Sequence, residues 1–171
     1  MQRPETQRKL RVCHLSKAGR SGGGASRIAE ELVSLLSSQG HHTSHGVRFL
    51  EGTDHKQTKK IYGVVTRKAH SLQKRLGFPE LVPFEMVELV TSGLYADYDL
   101  FHFHDLSSAI SPMTLYFLSQ FKPVVWTFHD CSPFTGGCLY PMDCNKFQSQ
   151  CGCRTKETIE ALKSGWKNKS E

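Results

Sequence analysis

Three consecutive glycines, Gly22, Gly23 and Gly24, lie between a short apolar run and an amphipathic helix pattern. No other feature restricts the fold as much. The run LRVCHLS, Leu10 to Ser16, reads as a buried strand. After the loop KAGRSGGGAS, apolar residues fall at Ala25, Ile28, Ala29, Leu32, Val33 and Leu36, one stripe of a helix. Gly40 stands where a terminal glycine ends such a helix. A strand that feeds a helix through bare backbone opens an α/β unit. The unpaired N–H groups and the helix dipole then point at the same place, which favours an anion such as phosphate. Three glycines exceed what one tight turn needs. The pattern is not a dinucleotide fingerprint, because Arg27 stands where the third small residue belongs and no clear acid closes a second strand. It is not a P-loop either, since no Gly-Lys-Ser/Thr follows.

The rest of the chain continues the α/β alternation. His41 to Leu50 is a second strand with weak alternation. Tyr98 to His104 (YDLFHFH) and Pro123 to Phe128 (PVVWTF) are strands with β-branched and aromatic bias. Pro112 to Gln120 reads as a helix between them, and that spacing requires a parallel, right-handed crossover. Thr66 to Leu76 reads as a basic helix, Phe84 to Thr91 as a short one, Asp130 to Arg154 as loop, and Thr155 to Lys167 as a last polar helix. With 171 residues, this predicts one domain: an α/β, Rossmann-like, doubly wound and mainly parallel sheet with a Cys-rich loop over 131–154.

The tripeptide Phe-His-Asp closes both late strands, as Phe103-His104-Asp105 and as Phe128-His129-Asp130. Parallel strands end on one edge, the edge where open α/β sheets bind ligands, and the glycine loop opens there too. His104, Asp105, His129 and Asp130 are therefore site candidates beside Gly22, Gly23 and Gly24. The expectation is that the two strands lie side by side, with both imidazoles facing the glycine loop. His14 and His102 read as structural, and His41, His42, His45 and His55 as surface residues.

Cys138, Cys144, Cys151 and Cys153 give the spacing C-x5-C-x6-C-x-C in an irregular segment. Four thiolates on such a loop suit a structural zinc that would order it, although disulfides or free thiols fit the same spacing. Cys131 follows His129 too closely to count as a ligand. From Lys56 to Arg75 there are seven Lys/Arg and no acid, with apolar Ile61, Val64, Val65, Leu72 and Leu76 among them. This run suits either a solvated face or contact with an anionic membrane surface or a lipid-linked phosphate. A net charge of +6 is too small to argue for nucleic acid. No stretch approaches a spanning helix, and no apolar segment follows the charged start, so a cytoplasmic chain is expected, peripheral at most on the inner membrane face.

Three segments together carry a resemblance: RVCHLSKAGRSGGGASRIAEEL, YDLFHFHDL and KPVVWTFHDCSPFTGGCLYPMDCNKFQSQCGC. In order and spacing they resemble the N-terminal half of bacterial family-four glycosyltransferases, in the branch that builds exopolysaccharides such as colanic acid. The resemblance covers residues 10–153 apart from a variable middle, 51–96. It implies the N-terminal domain of a GT-B fold, whose two Rossmann-like domains flank the active site. It further implies retaining sugar transfer from a nucleotide-sugar to a saccharide or lipid-linked acceptor, with no metal in the chemistry. Under it, Gly22, Gly23 and Gly24 match the loop near the donor phosphates and the acceptor. His129 and Asp130 match the acceptor-side His-Asp pair, and His104 matches a histidine usually followed by Trp, here by Asp105. Cys138, Cys144 and Cys151 match the loop cysteines, while Cys151-Gly152-Cys153-Arg154 departs from the usual C-G-x-C-P. A chain ending at Glu171 is expected to be an acceptor-side half, truncated before the donor-binding domain or completed by a separate chain. The rival expectations are a non-catalytic module for a sugar phosphate or nucleotide, and a zinc-stabilised interaction domain.

Overall fold

The computed structural model describes residues 8–50, 57–75, 82–104, 110–135, 140–145 and 148. The chain divides into two compact units, Met1–His129 and Asp130–Glu171. Asp105, Cys138, Cys151 and Cys153, as well as His55, Leu76 and the expected last helix, lie outside the described residues.

The first unit is built on five parallel strands in the order β3-β2-β1-β4-β5. They are β1 (Arg11–Ala18), β2 (His42–Phe49), β3 (Thr58–Lys60), β4 (Leu100–Phe103) and β5 (Val124–Trp126). This is a Rossmann-like α/β fold, and its order reverses between β1 and β4. A 3-10 turn, Arg20–Gly22, and helix α1 (Gly24–Ser38) connect β1 to β2. Helices α2 (Val64–Arg75), α3 (Glu85–Thr91) and α4 (Leu94–Asp97) lie between β3 and β4, and α5 (Pro112–Ser119) joins β4 to β5. The expected strands and helices recur with ends moved by a few residues. Two elements, β3 and α4, arise where no periodicity announced them.

Helix α1 ends as its glycine foretold. Gly40 adopts φ +84°, its N–H donates to Ser37 O, and His41 N–H donates to Leu36 O, which together form a Schellman motif. The buried face of α1 differs from the expected stripe. It carries Ser26, Ala29, Glu30 and Val33, while Ile28 and Leu35 are exposed. The reason is the sheet beneath it: the face bearing His14, Ser16 and His45 is polar, and small or polar helix residues fit against it. The opposite face of the sheet is apolar. There Cys13, Leu15, Phe101 and Phe103 meet Leu89, Leu94, Tyr98, Ile110 and Leu118, and this cluster is the core.

Helix α2 starts at a carboxylate. Glu88 accepts hydrogen bonds from Gly63 N–H and from Thr66 Oγ1 at 2.5 Å each. The buried face of α2 is polar, with Thr66, His70 and Gln73 spaced i, i+4, i+7. Ile61 belongs to the core, whereas Val64 and Leu72 are exposed. Glu85 is fully buried and gathers three partners: His70 Nε2 at 2.6 Å, Ser111 N–H at 3.2 Å and Thr114 Oγ1 at 3.1 Å. It thereby joins α2, α3 and the N-terminus of α5, where a carboxylate also meets the favourable end of the helix dipole.

The second unit is described over 130–135, 140–145 and 148. Asp130 Oδ1 accepts from Ser132 N–H at 2.8 Å and opens α6 (Ser132–Thr135), a helical turn where only loop was expected. The physical cause is the side-chain cap, which satisfies a first-turn donor that a Pro- and Gly-rich segment would otherwise leave to water. Cys131 and Cys144 carry free thiols.

Replacing Glu85 by Ala strands a buried imidazole, a hydroxyl and an N–H at once. Loss of one partner from a buried paired group costs about 3–5 kcal/mol. The expected result is a lowered urea midpoint with unchanged m-value, and a shift below about 1 kcal/mol would show that the Glu85 junction is not structural.

Candidate functional site

The site is assembled where the strand order reverses. The glycine loop follows β1, and His104 follows β4, its hydrogen-bonded neighbour. His104 N–H donates to Leu15 O at 2.9 Å, so the pairing continues past the end of β4. On the other side β4 pairs with β5, and Thr127 N–H donates to Phe103 O at 2.9 Å. The two late strands therefore lie side by side, as their sequence repeat implied, and carry their histidines to one edge.

The glycines of the loop have separable roles. A Cβ on Gly22 would stand 2.4 Å from Ser26 Oγ and 2.8 Å from Ala18 Cβ. Gly23 has φ +97°, which side chains rarely adopt. Gly24 satisfies neither demand: a Cβ there meets nothing within 4 Å. No side chain caps α1, whose cap residue is Gly23 itself. First-turn donors with open space beside them are what an anionic ligand requires. Gly22 and Gly23 shape the loop, and Gly24 leaves room to approach it.

The histidines form a file from core to surface. His14 Nδ1 lies 3.0 Å from His104 Nε2, and His104 Nδ1 lies 3.3 Å from His129 Nε2. His14 and His104 are buried and His129 is exposed. His102 lies beside them with its ring tilted, its centroid 4.0 Å from that of His104, and its Nε2 lies 2.8 Å from Thr127 Oγ1. His45 was expected at the surface. It is fully buried, with Nε2 2.7 Å from Ser16 Oγ, and Ser16 in turn donates to Ser26 Oγ at the start of α1. His45, His14 and His102 are register partners on β2, β1 and β4, so all three stand on one face. Read one strand at a time, His14 and His102 gave no sign of contact with His104. The register that unites them is a property of the sheet.

Burial decides their charge. Desolvation, followed by repulsion from the neighbouring imidazoles, holds His14 down to about 3 and His104 down to about 2. Desolvation likewise lowers His102. The buried imidazoles are neutral at neutral pH and can pass or hold protons only as donors and acceptors of hydrogen bonds. Burial also pushes the Cys13 thiol up to about 12, which makes it an unreactive core residue.

Of the remaining candidates, Asp130 belongs to the second unit, and its carboxylate accepts from Ser132 N–H. Asp105 and three of the four candidate cysteines fall outside the described residues. Another feature was not foreseen: a small basic recess at the carboxyl ends of β2 and β3. It is lined by Arg48, Phe49, Lys60, Tyr62 and Arg67, with the Arg48 guanidinium 4.4 Å from the Tyr62 ring centre.

A parallel sheet whose strand order reverses beside a glycine loop, flanked by helices, defines a Rossmann-like α/β domain. The family model of Glycosyltransferase Family 4 matches residues 22–149, and the chain belongs to that family. Its function is accordingly of the glycosyltransferase type. No curated protein and no solved structure gives a significant match. No helix among the described residues is long and apolar enough to cross a membrane.

Two predictions follow from this geometry. Gly24→Ala should leave the unfolding free energy within about 0.5 kcal/mol, since its Cβ meets nothing and Ala favours helix. Gly22→Ala should cost about 1–3 kcal/mol through overpacking against Ser26. Equal costs in denaturant titrations would contradict the division of roles. The second concerns acid. Well above pH 6.5 His14 and His104 are neutral in both folded and unfolded chains, so they add no pH dependence to stability there. Below 6.5 the unfolded chain binds protons that His14 and His104 refuse, so stability falls as pH drops toward 3, by about 1.4 kcal/mol per pH unit for each. Urea midpoints measured with a chelator present should decline steeply below pH 6, and His104→Gln should flatten that decline.

Proposed function

We propose that this chain is the acceptor-side part of a retaining glycosyltransferase that moves a sugar from a nucleotide-sugar to a saccharide or lipid-linked acceptor in polysaccharide assembly, on a GT-B framework. The observation that carries the reading is the file His14–His104–His129. It ends in one exposed imidazole at the sheet edge, backed by a buried neutral imidazole at 3.3 Å. Such a backing orients the outer ring and accepts or donates a proton at Nε2, which frees Nδ1 of His129 to meet a reacting hydroxyl. The open first turn of α1 is suited to the negative charge that develops on a leaving nucleotide diphosphate. Asp130 acts in this reading by opening the turn that follows His129. The chemistry asks for no metal, and the cysteine loop, if it binds zinc, does so structurally.

Contact with an anionic membrane surface on the cytoplasmic side belongs to the same reading. The outward face of α2 carries Arg67, Lys68 and Arg75 beside exposed Val64 and Leu72. The recess holding Arg48 and Lys60 lies next to its start. Basic side chains around a few apolar ones suit a lipid-linked phosphate better than an extended nucleic acid.

A glycine loop alone binds weakly. Three N–H bonds open to water contribute about 1 kcal/mol each, which corresponds to a dissociation constant in the millimolar range or weaker. Calorimetric titration of the 171-residue chain with nucleotide-sugars should show that weakness, and the chain alone should form no product. Micromolar binding, or transfer by this chain alone, would overturn the acceptor-side reading. In the assembled enzyme, His129→Ala should lower turnover by about 10²–10⁴ with the fold intact.

A further inference from the structure

The polar face of the sheet brings three imidazoles together, and holding an ion is a role for them distinct from backing His129. His14, His102 and His104 each offer one ring nitrogen within 4.8 Å of the other two. His14 Nδ1 and His104 Nε2 are already 3.0 Å apart. A tetrahedral ion with bonds of about 2.0–2.1 Å to imidazole spaces its ligand nitrogens by about 3.3 Å. This pair therefore has the separation of two ligands on one ion. His102, half-buried two residues before His104 on the same side of the sheet, brings a third ring nitrogen within 4.8 Å of the other two.

We propose that His14, His102 and His104 form a binding site for one divalent transition-metal ion of the zinc type. All-imidazole sets favour such ions over magnesium or calcium, which prefer oxygen. The hydrogen bonds around the cluster identify the ligating atoms. A metal-bound histidine commonly donates its other N–H to an outer partner, which fixes the ring. His102 has that partner in Thr127, at 2.8 Å from Nε2, which leaves Nδ1 for the ion. His104 has it in His129, at 3.3 Å from Nδ1, which leaves Nε2. His14 then ligates through Nδ1. Its Nε2 is buried and has no hydrogen-bond partner among the described residues.

Without an ion, one proton must sit between His14 Nδ1 and His104 Nε2, and the ion replaces it. Neutral imidazole is the form a metal requires, and both rings are buried, which disfavours the charged form. The ligands sit on or directly after β1 and β4, strands whose register is fixed by a shared ladder, so the site is held before the ion arrives. His102 is part-exposed, which gives the ion a way in. Three protein ligands leave a fourth position for water or an anion. One consequence rests on the transfer reading above: an ion on His104 Nε2 keeps the proton on Nδ1, so His129 receives a hydrogen bond at Nε2 and carries its own proton outward at Nδ1.

The test is a Co²⁺ titration of the full chain, stripped with a chelator and kept reduced, followed by visible absorption and by histidine ¹⁵N resonances. One equivalent should bind, with weak ligand-field bands and perturbed signals from His14, His102 and His104. His102→Ala should weaken binding about hundredfold or more, with His102→Gln as a second variant should the first fail to fold. Thr127→Val, which keeps every ligand but removes an outer partner, should weaken it about 10–100-fold. Thiolates of the cysteine loop announce themselves by intense near-ultraviolet charge-transfer bands. The histidine spectrum should therefore persist when Cys138, Cys144, Cys151 and Cys153 are all replaced by Ser. Absence of binding, binding of thiolate type only, or an affinity indifferent to His102 would overturn the proposal. None of those outcomes touches the transfer reading, which rests on the hydrogen-bonded file to His129 and on the glycine loop and needs no ion.

Discussion

Strand β1 is paired on both sides, and the rest of the molecule follows from that. Its parallel ladders to β2 and β4 set His14 level with His45 on one side and His102 on the other. Because side chains alternate along a strand, the same ladders send Cys13 and Leu15 to the opposite face with Phe101 and Phe103. One register thus builds a dry face, packed by α3, α4 and α5, and a polar face covered in part by α1. A shift of one residue would exchange the two faces and bury imidazoles where Leu89, Leu94 and Leu118 now pack.

The polar face is expensive to keep. Imidazoles taken out of water lose hydration that only hydrogen bonds can replace. The structure answers with a chain of contacts from Ser26 through Ser16 to His45, and another from His14 through His104 to His129. Aliphatic residues in these positions would add stability more simply. The apolar layer on the other side of the sheet supplies the stabilisation that the polar face does not. Glu85 and Glu88 serve the same division: they anchor the polar inner side of α2 and the start of α5 without drawing on the sheet's polar face.

What could be read from the sequence was what rests on local pattern. The glycine loop, the Gly40 stop, and the strands ending in Phe-His-Asp are all written within a few residues of themselves. Strand β3 was not, because Thr58-Lys59-Lys60 has no apolar run, and only pairing with β2 makes it a strand. The stripe expected on α1 placed Ile28 inward because it rests on apolar periodicity alone. The sheet face beneath it proved polar, so Ser26 and Glu30 turned in instead. His45 looked like a surface residue for a similar reason: its partners, Ser16 and the register neighbour His14, are about thirty positions away in the chain. The contact of His14 with His104 and His102 could not be read in advance, because closeness across strands is decided by register, and a single strand does not record it.

The central placement of β1 also has a cost in time. It is made early, and β2 with α1 can cover one of its sides soon afterwards. Its other neighbour, β4, begins about eighty residues after β1 ends. At synthesis rates of 5–20 residues per second, that interval lasts roughly 4–16 s. Throughout it, one edge of the most buried strand is an open template of N–H and C=O groups beside Cys13 and Leu15.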